Sequence, residues 1–239
     1  MTRQTKWVAW LATMVLAAAV HAAPVSGQGT WETTLQARDL NGDSVTDAFY
    51  DTALNITWLR NANVNGLMNW PTANAWANGL SFGGYTDWRL PTMVDTGAPG
   101  CNWTLAGGTD CGYNVQTATS EMAHLFYVSL GNKAFCAPGD AVCAVAQAGF
   151  GLTNTGDFES LVEAFYWSGL EYALNPSDAW YFLNTRGIQH FDAQNTSLFF
   201  ALAVRPGDVV AAAVPEPQAV ALALTALGAL ALVRRRRPR

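Results

Sequence analysis

Two apolar segments, one at each end, limit which part of the chain can build a folded domain. Arg3 and Lys6 precede an apolar stretch over residues 7–20, and the small residues at Val20-His21-Ala22 follow it. This order is typical of a secretory signal peptide, and we expect cleavage after Ala22. At the other end, residues 219–233 are apolar and four arginines follow them. We therefore predict a signal peptide over residues 1–22, a folded domain over 23–210, and a linker with a membrane segment over 211–239.

The C-terminal apolar segment is short for a membrane anchor. Fifteen helical residues span about 22 Å, less than the ~30 Å hydrocarbon core of a bilayer. The terminal arginines favour the cytoplasmic side, which places the rest of the chain outside the cytoplasm.

Removal of both segments makes the chain strongly acidic. Of 13 Lys and Arg residues, two lie in the first segment and five in the last, so residues 23–217 keep six cations against 18 acids, a formal net charge of −12. Such a chain repels nucleic acid and polyanionic sugars. We expect a partner that is neutral, cationic or bridged by a metal.

Four cysteines form two close pairs in the sequence, Cys101 with Cys111 and Cys136 with Cys143. An even number of cysteines in an exported chain indicates disulfides, and the short loops favour local pairing among the three possible connectivities. Zinc binding is disfavoured because the cysteines lack histidine neighbours and Cys-x-x-Cys spacing.

The residue pattern predicts an α+β fold. Helices are predicted over residues 69–78, with Pro71 in the first turn and Gly79 at the end, and over 120–131, with Ser120 as N-cap and Gly131 as the stop. Long cysteine-containing loops are predicted over 95–119 and 134–156. Short strands are predicted over residues 33–38, 48–51, 56–59, 165–168, 179–184, 188–192 and 197–205, the last four as one antiparallel set.

A compact signature lies between these elements. Tyr85, Trp88 and Leu90 are expected to pack in a core, and a half-buried Arg89 would require a carboxylate from Asp87, Glu121 or Glu171. The signature reads Gly83, Gly84, Tyr85, Thr86, Asp87, Trp88, Arg89, Leu90, Pro91 and Thr92.

The signature resembles the Lcl C-terminal domain family, a former domain of unknown function in the C-type-lectin-like group. The resemblance extends over residues 51–59, 66–70, 87–92, 120–126, 166–169 and 203–205. It implies a C-type-lectin-like fold with a short antiparallel sheet, two helices and long loops, and it carries no catalytic residue. It also implies surface adhesion through sulfated glycans for the best-known relative, a ligand that the net charge of −12 disfavours here.

The C-terminal segment resembles a PEP-CTERM sorting signal. Pro215, Glu216 and Pro217 precede the apolar run and the arginine cluster. The resemblance implies processing by an exosortase in a Gram-negative bacterium, with transient residence in the inner membrane and then the cell surface or extracellular matrix. An ordinary tail anchor is the alternative, and it leaves the Pro-Glu-Pro box unexplained.

One acidic loop has partial calcium-ligand spacing. Asp39, Asn41, Asp43 and Asp47 occupy relative positions one, three, five and nine of a calcium loop. However, Ser44 stands where glycine is expected and Tyr50 where an acid is expected. A polar turn rich in Asx residues is the alternative interpretation.

The sequence favours a non-catalytic binding or adhesion module for a neutral glycan or matrix polymer. Trp103, inside the first cysteine loop, is the candidate contact, whereas Trp58, Trp88 and Trp167 are expected to be buried. We predict no catalytic residue and no cofactor other than the calcium considered above. The alternatives are a passive structural component of the matrix, a hydrolase using Glu159 and Glu163 four residues apart on a helix, and an enzyme with unpaired Cys136 and Cys143. His124 is expected to be a framework residue.

Overall fold

The computed structural model describes residues 22–99 and 101–209. Residues 1–21, Gly100 and residues 210–239 lie outside the described residues, and with them most of the predicted signal peptide and Pro215-Glu216-Pro217. In the described part, two four-stranded antiparallel sheets combine with a few short helices. The predicted mixture of α and β structure with mainly antiparallel strands is therefore present.

The first sheet has the strand order β1-β2-β3-β8. It contains β1 (Leu35–Arg38), β2 (Ala48–Asp51), β3 (Ile56–Leu59) and β8 (Val204–Pro206). The bounds of β2 and β3 are those predicted. The strand predicted over 33–38 begins later, because Trp31–Thr34 forms a helical turn, α1, in which the Thr33 and Thr34 hydroxyls each donate to the Thr30 carbonyl at 2.9 Å.

Asp51 organises the turn between β2 and β3. Its fully buried carboxylate accepts hydrogen bonds from the Ala53 amide at 3.0 Å, the Leu54 amide at 3.3 Å and the Trp58 indole at 3.3 Å. Asn55 adopts the left-handed conformation, with φ 53°. Aspartate and asparagine favour such turns because their short polar side chains bond the local backbone.

The second sheet has the strand order β4-β7-β6-β5. It contains β4 (Gly112–Tyr113), β5 (Phe165–Glu171), β6 (Asp178–Leu183) and β7 (Ile188–Ala193). Three of these strands were predicted within a few residues. The fourth, β4, was not predicted: it lies directly after Cys111, in the segment 95–119 that was predicted as a loop.

The prediction that residues 197–205 form one antiparallel strand of this second set was wrong. Only Val204–Pro206 is regular, and it pairs with β3 in the first sheet. The other edge of Val204 is bonded to Arg89 by two backbone hydrogen bonds of 2.8 and 2.9 Å.

The earlier part of the predicted strand does contact the second sheet: the Phe200 amide donates to the Phe165 carbonyl, and the Phe200 carbonyl accepts from the Trp167 amide, each at 3.0 Å. This contact is an isolated parallel bridge to β5 and not the predicted antiparallel pairing.

Two helical regions lie where the sequence predicts them. The helix α2 (Trp70–Gly79) is capped by Asn69, whose side chain accepts from the Thr72 amide at 3.1 Å. The helix α3 (Glu121–His124) is capped by Ser120, whose hydroxyl accepts from the Ala123 amide at 3.2 Å.

The second predicted helix widens after its first turn. Leu125–Ser129 is π-helical, and the Leu130 amide bonds the Leu125 carbonyl at 2.8 Å. Gly131 then ends the region at φ 65°, where an added Cβ would lie 2.5 Å from the Gly29 amide nitrogen. The close approach of Gly29 therefore requires glycine at this position.

The largest core cluster joins both sheets to α3 and the π-helical segment. Phe49 and Trp58 from the first sheet and Tyr166 and Phe182 from the second pack with Phe126. Trp58, Trp88 and Trp167 expose 0%, 2% and 0% of their surface, as predicted for framework tryptophans.

Candidate functional site

Arg89 forms a clamp between the signature and α3. Its guanidinium donates to the two Glu121 carboxylate oxygens at 2.7 and 2.8 Å, and the Thr92 amide donates to the same carboxylate at 2.7 Å. Of the three carboxylates that the sequence offered, the structure therefore selects Glu121. This bidentate geometry fixes two distant parts of the chain, which is a framework role.

Asp87 pairs with a different arginine. Its carboxylate accepts from Arg205 at 2.7 and 2.9 Å, and this hydrogen bonding lowers the pKa of Asp87. The Arg205 guanidinium also lies 4.7 Å from the centre of the Tyr85 ring. Signature residues thus hold β8 through both Arg89 and Asp87, while Trp88 and Leu90 are buried in the core.

The acidic loop over residues 39–47 is organised by its own backbone. The Asp39 carboxylate accepts from the amides of Gly42 and Ser44, each at 2.7 Å. Desolvation raises the pKa of Asp39, but these backbone hydrogen bonds outweigh it and lower the value overall. Asn41 and Asp43 accept from amides two residues ahead, and Asp47 accepts from the Leu40 amide at 2.9 Å. The bonds to amides two residues ahead are those of Asx turns. Calcium binding by the same side chains stays a prediction.

Both disulfides form between the expected partners, Cys101 with Cys111 and Cys136 with Cys143. None of the four cysteines is free, so an enzyme that uses the Cys136 or Cys143 thiol would first require reduction. Cys101, Asp110 and Cys111 form the one cluster of three potential metal ligands among the described residues. Its two sulfurs are bonded to each other, so they are not thiolate ligands.

Asp110 anchors the first disulfide loop against the sheet. The fully buried carboxylate accepts from the Asn102 amide at 2.9 Å and from the amide and hydroxyl of Thr96. The Asp110 carbonyl accepts from the Gln189 side chain at 2.6 Å on β7. The loop that carries Trp103 is therefore fixed at both the disulfide and the strand.

Four partly exposed rings cross the second sheet and form what we call the aromatic strip: Phe165, Tyr181, His190 and Trp103. Successive ring centres are 5.2, 6.2 and 5.4 Å apart. Tyr181 and His190 are directly paired across β6 and β7, and cross-strand pairs share one face of a sheet. Trp103 is 46% exposed and Phe165 is 37% exposed, so both ends of the strip face solvent.

The polar atoms of the strip are suited to neutral hydrogen bonding. Burial raises the pKa of Tyr181 to about 12, with Asp192 adding to the effect, so the hydroxyl is protonated at neutral pH. The His190 Nδ1 contacts the Phe191 carbonyl at 2.9 Å. Because a carbonyl oxygen only accepts, Nδ1 carries a proton in this contact, and in that tautomer Nε2 is the acceptor.

The residues considered for hydrolysis are not arranged as the sequence hypothesis requires. Glu159 and Glu163 do not lie on a helix, and Glu159 instead lies 3.7 Å from Arg60. The helical spacing on which their pairing depended is therefore wrong. His124 is half-buried, and desolvation lowers its pKa. Within the described part of the chain its Nε2 has no hydrogen-bond partner, so no Asp, Glu or Ser there accepts from or donates to this nitrogen.

No protein-family model, curated protein or solved structure matches the chain. Across residues 22–99 and 101–209, no helix combines the length and the apolar character needed to cross a bilayer.

The sequence indicated Trp103 but not the other members of the strip. The strands predicted over 179–184 and 188–192 bring Tyr181 and His190 onto neighbouring strands, but the register that pairs them, with Leu183 opposite Ile188, comes from the structure. The proximity of Trp103 to His190 depends on how the Cys101–Cys111 loop packs on the sheet. No local sequence pattern predicts this packing.

Proposed function

We propose that this protein is an exported, exosortase-processed surface or matrix protein whose domain, of C-type-lectin-like type, binds a neutral glycan or matrix polymer. The observation that carries the binding proposal is the aromatic strip, a run of four partly exposed rings ending at Trp103. The role is adhesion or binding without catalysis.

The chemistry of the strip fits a sugar chain. Aromatic faces pack against the CH surfaces of sugars, while a phenol hydroxyl and an imidazole nitrogen can bond sugar hydroxyls. Tyr181 and His190 supply these polar atoms at the centre, and Trp103 and Phe165 supply apolar area at the ends. Because Trp103 lies on a loop held by a disulfide, little conformational entropy is lost when a ligand orders it.

Charge supports a neutral ligand over an anionic one. Residues 23–217 carry a formal net charge of −12, and none of the four strip residues is an arginine or lysine. Asp192 acts electrostatically on Tyr181, which places a carboxylate near the strip. A sulfated or uronic polymer would be repelled at this surface.

Titration of the purified domain with neutral and sulfated polysaccharides, followed by tryptophan fluorescence, tests the proposal. We expect saturable binding of a neutral polymer. Trp103→Ala should weaken this binding about thirtyfold, since an aromatic anchor at an interface contributes about 2 kcal/mol. Val142→Ala is the control, because Val142 is 76% exposed on the other disulfide loop.

Two other results would change this proposal. Binding that survives in Trp103→Ala would move the site away from the strip. No binding to any polymer would favour a passive structural component of the matrix.

Titrations with and without calcium also test the predicted metal loop, with Asp39→Asn as its variant. The intact mass of the surface species tests the exosortase step, which requires a product without Arg239.

A further inference from the structure

A cavity of about 400 Å³ lies beside the π-helical segment, away from the four strip residues. Tyr127 of that segment lines it, together with Val115, Ala134 and Pro138. The volume is within the range of about 300–1,000 Å³ for small-molecule sites. π-Helical turns are rare and are frequent at functional sites.

The walls of the cavity are fixed by hydrogen bonds. Asn114 has a left-handed backbone, with φ 55°, and its side-chain amide donates to the carbonyls of Leu105 at 3.3 Å and Cys136 at 2.9 Å. The Tyr127 hydroxyl accepts from the Asn114 amide at 3.0 Å and donates to the Gly187 carbonyl at 2.5 Å. These polar atoms are already paired, so the site is preformed and its donor groups are largely committed to the protein.

Lys133 also lines the cavity and is its one cation among the described residues. Its side chain is exposed and makes no ion pair within the described part of the chain. No described Asp or Glu lines the cavity. The other five cations of that part each have a partner: Arg38 with Asp208, Arg60 with Glu159, Arg89 with Glu121, Arg205 with Asp87, and Arg186 over the Phe135 ring.

We propose that this cavity binds a small organic monocarboxylate with an apolar body, whose carboxylate pairs with the Lys133 ammonium. A single ammonium matches a single negative charge, whereas a phosphate or sulfate would need additional donors. The apolar walls formed by Tyr127, Val115 and Ala134 would cover the body of the ligand. This site does not depend on the glycan proposal, because the two share no residue.

Benzoate and its neutral isostere benzamide test the proposal in calorimetric titrations of the intact domain. We expect benzoate to bind and benzamide to bind about threefold to fivefold more weakly, because the Lys133 ammonium is exposed and solvent limits the strength of an exposed ion pair. Lys133→Met should reduce benzoate affinity by about the same factor and leave benzamide unchanged. Lys133→Arg should keep most of the affinity.

Two controls separate a specific site from general charge effects. Arg60→Met removes one positive charge outside the cavity and should leave benzoate binding unchanged. Thr117→Phe fills the cavity without changing charge and should abolish binding while circular dichroism remains native. Equal affinity for benzoate and benzamide, unchanged binding in Lys133→Met, or no saturable benzoate binding up to about 10 mM would each overturn the proposal.

Discussion

Replacement of Arg89 by alanine should destabilise the domain without touching the aromatic strip. The substitution removes both hydrogen bonds from the guanidinium to Glu121, leaving that carboxylate with the Thr92 amide. It also removes the bond from Arg89 to the Leu90 carbonyl at 3.1 Å. A poorly solvated carboxylate would then lack its counter-charge.

The burial of the pair sets the magnitude. Breaking a fully buried ion pair costs about 3–5 kcal/mol, whereas an exposed pair is worth about 0–1 kcal/mol. The Arg89 and Glu121 side chains are 27% and 14% exposed, so water reaches both in part. We therefore expect Arg89→Ala to lower the free energy of unfolding by about 2–3 kcal/mol, which is roughly 5–10 °C in Tm for a domain of this size.

Urea denaturation of a double-mutant cycle measures this value directly. Arg89→Ala, Glu121→Ala and the double variant give the coupling free energy of the pair. Arg60 and Glu159 offer a matched control, since they are 3.7 Å apart with side chains 34% and 52% exposed. Arg60→Ala should change stability by less than about 1 kcal/mol.

If Arg89→Ala lowers the free energy of unfolding no more than Arg60→Ala does, the role of Arg89 as a clamp is refuted. Unchanged stability combined with lost glycan binding would move Arg89 from the framework into the site. A coupling free energy near zero would show that the two side chains stabilise the fold independently.

Two further predictions concern the disulfides and acid stability. Replacing Cys136 and Cys143 by serine should lower the free energy of unfolding by about 2–3 kcal/mol, from loop entropy, and leave the domain folded. Replacing Cys101 and Cys111 should lower it further, because both are buried against Trp180. Urea denaturation midpoints compare the two variants, and equal losses of stability would contradict the packing argument. Hydrogen bonding to Arg205 lowers the pKa of Asp87 in the folded state below its value of about 3.9 in the unfolded state. The Asp87 carboxylate therefore stabilises the fold at pH values above about 3.9, and this stabilisation is lost as the pH falls through the pKa of the folded state. Asp87→Asn should flatten the fall in urea midpoint between pH 5 and pH 2, and an unchanged slope would exclude this pair as a cause of acid sensitivity.

Local signals predicted the elements that depend on neighbouring residues. The β2 and β3 strands have the predicted bounds because the Asp51 and Asn55 turn between them is encoded over a few residues. The starts of α2 and α3 follow from the Asn69 and Ser120 caps. The disulfides follow from pairs only 10 and 7 residues apart, for which loop closure is inexpensive.

Non-local contacts decided the rest. Val204 lies between β3 and Arg89 because backbone edges far apart in sequence meet there. The end of the strand predicted over 197–205 therefore belongs to the first sheet, while Phe200 bridges β5 of the second. The α-helical periodicity of residues 120–131 did not predict the π-helical segment. Tyr127 of this segment is hydrogen-bonded to Asn114 and Gly187, which come from two other parts of the chain.

By itself, the sequence determined the acidic balance and predicted the local disulfides and most of the short strands. It also predicted that Arg89, if half-buried, would need a carboxylate. Only the tertiary structure decided that this carboxylate is Glu121, that Trp103 continues a row of rings from three strands, and that Lys133 lines a cavity whose described lining contains no Asp or Glu. The physical reason is that caps, turns and short disulfide loops are stabilised by residues close in sequence. Ion-pair choice, aromatic rows and cavities depend instead on which distant segments share a surface after the two sheets have packed.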